Sequence, residues 1–428
     1  MTAIFGVFIG LMVLGFPIAV AMGYGALVPQ FLNDQVVTDA IYVIRTMVVG
    51  IDSTPILAIP LFILSGTLMA KGGISRKLFD VFAYFIGNRT AGLPCAVVLT
   101  CFFYGAISGS GPATCAAVGA MTIPLLVSLG YDKGFISALV AVSAGLGLII
   151  PPSISFINYG LMTGTSVTAL FTAGIIPGIV IAACIMVYTY FHFKKHGEDK
   201  EKINANYEKL KEHGLIGVIK EGFWAILCPV IILGSIYMGI CTPTEAAAVS
   251  VLYALLVSIY AYKMFKWNEV WSIILESLVS IAPLCLLIAV ATALGRLLTL
   301  FNAPQELAVF IQNLLPGKIA FLIVLNVTLL ILGMFIDGAP AILILSPLLM
   351  PIAAGYGINP VHLGIILVVN LSIGLASPPF GLNLFIASSM STVPVMEIGR
   401  KAIPLILSFI VALMLITFIP ELSLLLVK

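Results

Sequence analysis

The chain has 428 residues, 61% hydrophobic and 9% charged, with a mean hydropathy of +1.19. Soluble domains are about 45–50% apolar and about 25% charged, so a soluble globular enzyme is excluded. Twenty Lys and Arg against 18 Asp and Glu leave a net charge of +2, spread too thinly for a nucleic-acid footprint. At roughly 25 residues per crossing and turn, the chain outside one polar stretch makes on the order of 12 to 16 membrane segments. The expected fold is an all-α polytopic membrane protein.

Enzymatic chemistry is not legible either. The cysteines (Cys95, Cys101, Cys115, Cys184, Cys228, Cys241, Cys285) stand singly among apolar residues and read as small buried hydrophobes. The histidines (His192, His196, His213, His362) form no HExxH, and no glycine loop ends in Lys-Ser/Thr. The first 29 residues are apolar without a basic start, so no cleavable signal peptide is expected.

In chain order, residues 1–92 read as scaffold helices of a first half, including the apolar run Gly50 to Met69. Residues 93–166 form a first transport unit, and 167–192 a helix leading to the cytoplasmic side. From 193 to 222 the composition changes abruptly, with seven lysines (194, 195, 200, 202, 209, 211, 220) and six acids (198, 199, 201, 208, 212, 221). The positive-inside rule puts this solvated stretch in the cytoplasm. A second scaffold set follows at 223–301, a second transport unit at 302–391 and a C-terminal membrane helix at 392–428. By the same rule Asp34, Asp39 and Asn302 to Gln305 are external. Lys71, Arg76, Lys77, Arg89, Lys263, Lys266, Arg400 and Lys401 are internal, which starts the N-terminus inside and ends the C-terminus outside.

The halves resemble each other. A shift of 227 residues places Ser108 to Pro124 on Phe335 to Pro351, and Gly145 to Gly160 on Ser372 to Ala387. Over positions 108–152 there are eight identities, and six are Gly or Pro (Gly111, Pro124, Gly130, Gly147, Pro151, Pro152), the residues that set backbone breaks. Opposite flanking charge makes the repeat inverted, and inverted repeats with interrupted apolar segments point to a secondary transporter.

Leu93 to Leu129 is too long for one crossing of about 20 residues and carries Gly105, Gly109, Gly111 and Pro112 midway. It reads as a re-entrant hairpin with its tip at Ser108 to Pro112. Half-helices meeting inside a membrane leave backbone groups that a cavity must satisfy. Carbonyls at the tip and at the broken GLGLIIPP segment suit Na⁺, and helix N-termini suit an anion. Kinks serving only close helix packing are the rival. Asp337, the counterpart of Ser110, falls at the second tip or else at a surface turn. Arg296, within a long apolar run, either pairs with a carboxylate cargo or snorkels to the outer interface. Glu245 in CTPTEAAAV suits the first turn of a helix.

Five motifs in order carry a family resemblance: GIDSTPILAIPLFILSGTLM (50–69), SGSGPAT, GLIIPPSISFINYG, CTPTEAAAVSVLYAL (241–255) and the second Pro-Pro segment. The chain resembles, over nearly its whole length, the large membrane subunit of tripartite ATP-independent periplasmic (TRAP) transporters, and looks somewhat closer to the sialic-acid branch than to the C4-dicarboxylate branch. The resemblance implies an elevator-type carrier with two hairpins and two broken helices, driven by at least two Na⁺ and moving an organic acid across the bacterial inner membrane. It also implies a small membrane subunit, as a separate chain, and a periplasmic substrate-binding protein. Carried over by motif, a first sodium site comprises Ser108, Ser110, Gly147, Ile150 and Pro152. The repeat nominates Asp337, Gly338, Gly374, Ser377 and Pro379 for a second, where Phe335 replaces Ser108 and cannot coordinate through its side chain. Ser155, Asn158, Arg296 and Asp337 are the expected substrate contacts.

Overall fold

Lipid offers no hydrogen bonds, so a spanning chain must satisfy its backbone internally, and this one does so with helices. The computed structural model describes residues 2–32, 39–212 and 214–427, among which there is no strand. Nine helices among the described residues are long and apolar enough to cross a membrane, or ten when the pair Lys133–Ile149 and Ile154–Thr163, bent by 41°, is taken as one span. The count falls below the expected range because much of the apolar sequence forms short helices, such as Gly92–Ser108, Pro360–Gly374 and Leu382–Ser391.

Two local expectations change. The run 50–69 is not one helix: Ala40–Ile51 ends at Asp52, and a 3-10 turn, Thr54–Leu57, precedes Ala58–Lys71. Pro55 lacks an N–H and keeps its predecessor out of the helical region. At the N-terminus, Thr2–Val13 and Ile18–Leu32 form a tight antiparallel pair in which Gly25 lies against Ile4 and Phe8. The chain therefore returns by Leu32 to the end where Thr2 starts. This differs from the expected single crossing between the N-terminus and Asp39. Asp34 lies outside the described residues.

The repeat is visible in the packing. Ile18–Leu32 packs on Trp267–Leu300, and Pro243–Leu256 packs on Ala58–Lys71, the same pairing after a 227-residue shift. The halves then interlock: Ile154–Thr163 packs on Gly338–Gly355, while Leu382–Ser391 packs on Gly111–Ser128. Where they cross, Ser372 Oγ donates to the carbonyl of Gly145 at 2.7 Å, and these two residues are themselves counterparts at the offset. The arms of the two hairpins differ. Gly92–Ser108 and Gly111–Ser128 run along each other, whereas Lys318–Phe335 packs chiefly on Pro360–Gly374.

Most of the basic residues gather at one end. Lys77 pairs with Glu221 and Lys401 with Asp132, and Met264 touches Gly73. Glu198 accepts from both ends of the first hairpin, the Ala91 N–H at 2.9 Å and the Tyr131 hydroxyl at 2.7 Å. Partial burial works against the Asp132 carboxylate, but the Lys401 ammonium and the Phe135 N–H hold its pKa below the usual range. The polar stretch contains a charged helix, Lys200–Glu212, between Val167–His196 and Gly214–Tyr237. At the opposite end, Thr244 Oγ donates to the Thr54 carbonyl, Tyr356 Oη to that of Leu315, and His362 lies 3.2 Å from Ser423 Oγ.

Candidate functional site

The first hairpin turns where expected. Gly92–Ser108 ends at Gly109, whose φ of +62° is the left-handed conformation that favours glycine. Ser110 then caps Gly111–Ser128, accepting from the Ala113 N–H at 3.5 Å. The broken helix comes to meet this tip. Ile150 leaves the helix with extended backbone (φ −75°, ψ 128°) ahead of a cis Pro151–Pro152 bond, and the Ile154 N–H donates to the Gly109 carbonyl.

Three oxygens converge beside Gly147. Thr114 Oγ donates to the Ser110 carbonyl at 2.8 Å and lies 2.8 Å from Ser108 Oγ. A Cβ on Gly147 would stand 2.6 Å from Thr114 Oγ and 2.8 Å from the Ser110 carbonyl oxygen, and one on Gly109 would stand 2.6 Å from the Pro152 carbonyl oxygen. Ser108, Ser110, Gly147 and Pro152 are thus together, and Thr114 joins them. Thr114 was absent from the sequence-based set, although its place one helical turn after Ser110 was a signal. An all-oxygen donor set suits a hard cation such as Na⁺.

The second set is less converged. Gly374 packs against Gly333, so closely that a Cβ would lie 2.4 Å from its carbonyl carbon. Ser377 is spent inside the break, its hydroxyl donating to Ile373 and its carbonyl accepting from the Gly381 N–H. Pro379 closes the second cis Pro-Pro bond. Asp337 caps Gly338–Gly355 by accepting from the Gly338 N–H at 2.8 Å, and no hydrogen bond links it to the break among the described residues. Phe335 is exposed and lies against Phe380, ring centroids 5.5 Å apart.

Both tips open into one cavity of about 770 Å³, which takes in Ser108 to Ala113, Ser155, Asp337 and, from Ala58–Lys71 and Trp267–Leu300, Thr67, Glu276, Ser280 and Leu287. Arg296 is not part of it. It faces a separate cavity of about 680 Å³ with Tyr42, Ser53, Met162 and Thr292, farther along the same Trp267–Leu300 helix. Asn158 lies on the helix that contributes Ser155 to one cavity and Met162 to the other; it is fully buried, and both its amide atoms lack a hydrogen-bond partner. Glu245 stands apart, closing a capping box with Thr242 at 2.7 Å.

Comparison with known proteins gives this geometry a family. The family model described as "Tripartite ATP-independent periplasmic transporter, DctM component" matches residues 5–422. The isethionate TRAP transporter permease protein DctMQ of Oleidesulfovibrio alaskensis is 38% identical over 97% of the chain, which spans 65% of that protein. The C4-dicarboxylate large permease DctM of Pseudomonas aeruginosa is 40% identical over 86% of the chain and 85% of its own length. The sialic acid large permease SiaM of Vibrio cholerae is 33% identical over 99% and 97%. In three dimensions the YdaH transporter of Alcanivorax borkumensis aligns over 90% of this chain and 89% of its own with a TM-score of 0.62 at 15% identity, a likeness of fold. The chain is a multi-pass permease rather than an enzyme, and it belongs to the DctM family of tripartite ATP-independent periplasmic transporters.

Proposed function

We propose that this chain is the membrane carrier of a Na⁺-coupled uptake system for an organic acid. The observation that carries the proposal is the composition of the shared cavity. Two helix N-termini, at Ser110 and Asp337, meet Ser155 there, and no Lys or Arg is among the lining residues. A carboxylate cargo then draws its positive potential from helix dipoles and from co-bound cations. Bound Na⁺ at Ser108, Ser110, Thr114 and Gly147 raises that potential beside the cargo, which couples the two. Asp337 supplies a formal negative charge for a second Na⁺, with Gly338, Gly374, Ser377 and Pro379 behind it. Asn158, buried without partners, gains a polar partner when cargo moves past its helix face.

The cavity with both tips meets the scaffold towards the basic end, at Glu276, whereas Arg296 lies farther along the same helix. In the inner membrane of a bacterium the basic end faces the cytoplasm, so this arrangement corresponds to the inward-facing state, with Thr2 and Ser423 on the periplasmic side. Arg296 would then meet the acid on arrival from outside. Two separate cavities along one helix favour a carrier with alternating access over a channel. The proposed assembly includes a small membrane subunit and a periplasmic binding protein that delivers the acid.

With at least two Na⁺ and a monoanion, at least one net positive charge enters per cycle, contributing ~2.3 kcal/mol per 100 mV, more than a tenfold gradient. In proteoliposomes with the binding protein outside, an inward Na⁺ gradient and an inside-negative potential should each speed uptake. Asp337→Ala should nearly abolish it, and Ser110→Ala should weaken it mildly. Uptake indifferent to Na⁺ and potential refutes the coupling; uptake undiminished without the binding protein marks a stand-alone carrier.

A further inference from the structure

The cavity holding the hairpin tips contains two carboxylates, Asp337 and Glu276, and they belong to different parts of the molecule. Asp337 sits on a hairpin. Glu276 is on the scaffold helix Trp267–Leu300, about two and a half turns from its start, on the wall that also carries Thr67, Ala70 and Ser280. Its carboxylate accepts a hydrogen bond from Lys71 Nζ, on the last residue of Ala58–Lys71. Neither side chain is enclosed by protein, at 42% and 56% exposure. A pair this exposed adds little to stability, so clamping two helices is a poor account of it. Its position is more telling. It stands where the cavity wall approaches the basic end, on the route between the tips and that end.

We propose that Lys71 and Glu276 form an electrostatic exit gate that sets how tightly the carboxylate cargo is held from the cytoplasmic side. The proposal rests on the organic-acid reading above. Paired, the two charges largely cancel, and a departing carboxylate meets neither a trap nor a barrier. As it passes, it can exchange with Glu276 for the Lys71 ammonium and leave on the side chain that ends the Ala58–Lys71 helix. The lone charges act in opposite senses. Lys71 without Glu276 is a free cation that retains the acid, and Glu276 without Lys71 repels it.

The test uses proteoliposomes of the whole transporter, with binding protein outside to select molecules whose periplasmic face points outward. Succinate, isethionate and N-acetylneuraminate serve as probe acids. The quantity measured is the lumenal concentration of the transported acid that halves Na⁺-driven uptake. Glu276→Gln should lower it about threefold or more, and Lys71→Gln should raise it by a similar factor. The double variant Lys71→Gln with Glu276→Gln should return to within about twofold of the original. A pair that only holds helices together gives another pattern: both single variants shift in the same direction, and the complex elutes less well in size exclusion. A shift in the same direction overturns the gate. If the unaltered transporter takes up none of the three acids, the functional reading falls and the gate with it; normal uptake with unresponsive single variants removes the gate alone.

Discussion

Thr114 adds a hydroxyl at the first tip that the motif set of Ser108, Ser110, Gly147, Ile150 and Pro152 does not include. Its hydroxyl joins Ser108 Oγ to the Ser110 carbonyl, beside a Gly147 that leaves no room for a Cβ. One such hydrogen bond is worth ~0.5–1.5 kcal/mol. Thr114→Val keeps the volume and removes the oxygen, so the Na⁺ concentration for half-maximal uptake should rise about three- to tenfold, with the rate at saturating Na⁺ preserved. Thr114→Ser should restore it. An unchanged Na⁺ dependence in the valine variant would remove this oxygen from the ion site. Arg296 is a different case. Its type and its apolar setting leave a carboxylate partner and the outer interface both open, and the fold puts it in a cavity apart from the two tips.

Among elements, the informative contact is between the first tip and Ala58–Lys71. Ser108 Cα lies 3.2 Å from where a Cβ on Gly66 would stand. The repeat pairs Gly66 with Ala293 and Ser108 with Phe335, but Asp337, beside Phe335, now shares its cavity with Leu284 and Leu287. If the inverted halves exchange conformations, the second tip reaches Ala293, six to nine residues along the helix, a slide of about 9–14 Å at 1.5 Å per residue. Two cysteine pairs read this out: 67 with 113, which now line one cavity, and their counterparts 294 with 340. Each should crosslink in a different ligand condition and lock transport. One pair reacting under all conditions would favour local gating.

For the molecule as a whole, the inverted repeat makes a claim about sides. Arg89 precedes Ala91, which is bonded to Glu198 at the basic end; Glu421 lies with Ser423 at the other. Cysteines replacing Arg89 should react with an impermeant reagent only from the cytoplasm, and those replacing Gln305 or Glu421 only from the periplasm. Labelling of all three from one side would break the assignment.

The sequence by itself determined the class of molecule, the repeat and the breaks at the first tip and at the two Pro-Pro segments, though not the one at 52–57. These depend on composition and on Gly and Pro, whose conformational effects are local, so Gly109 turning a hairpin and Ile150–Pro152 breaking a helix were legible before any packing was known. Only the tertiary structure decided which oxygens meet and which charges share a space. Thr114 joins the first site because the broken helix arrives against its turn, and Ser377 is spent on its own break because the loop closes back on Ile373 and Gly381. Glu276 looks like one more acid on a long helix until Lys71, 205 residues earlier, is folded beside it. Such meetings depend on contacts between distant segments, whose spacing along the chain carries no trace of their distance in space.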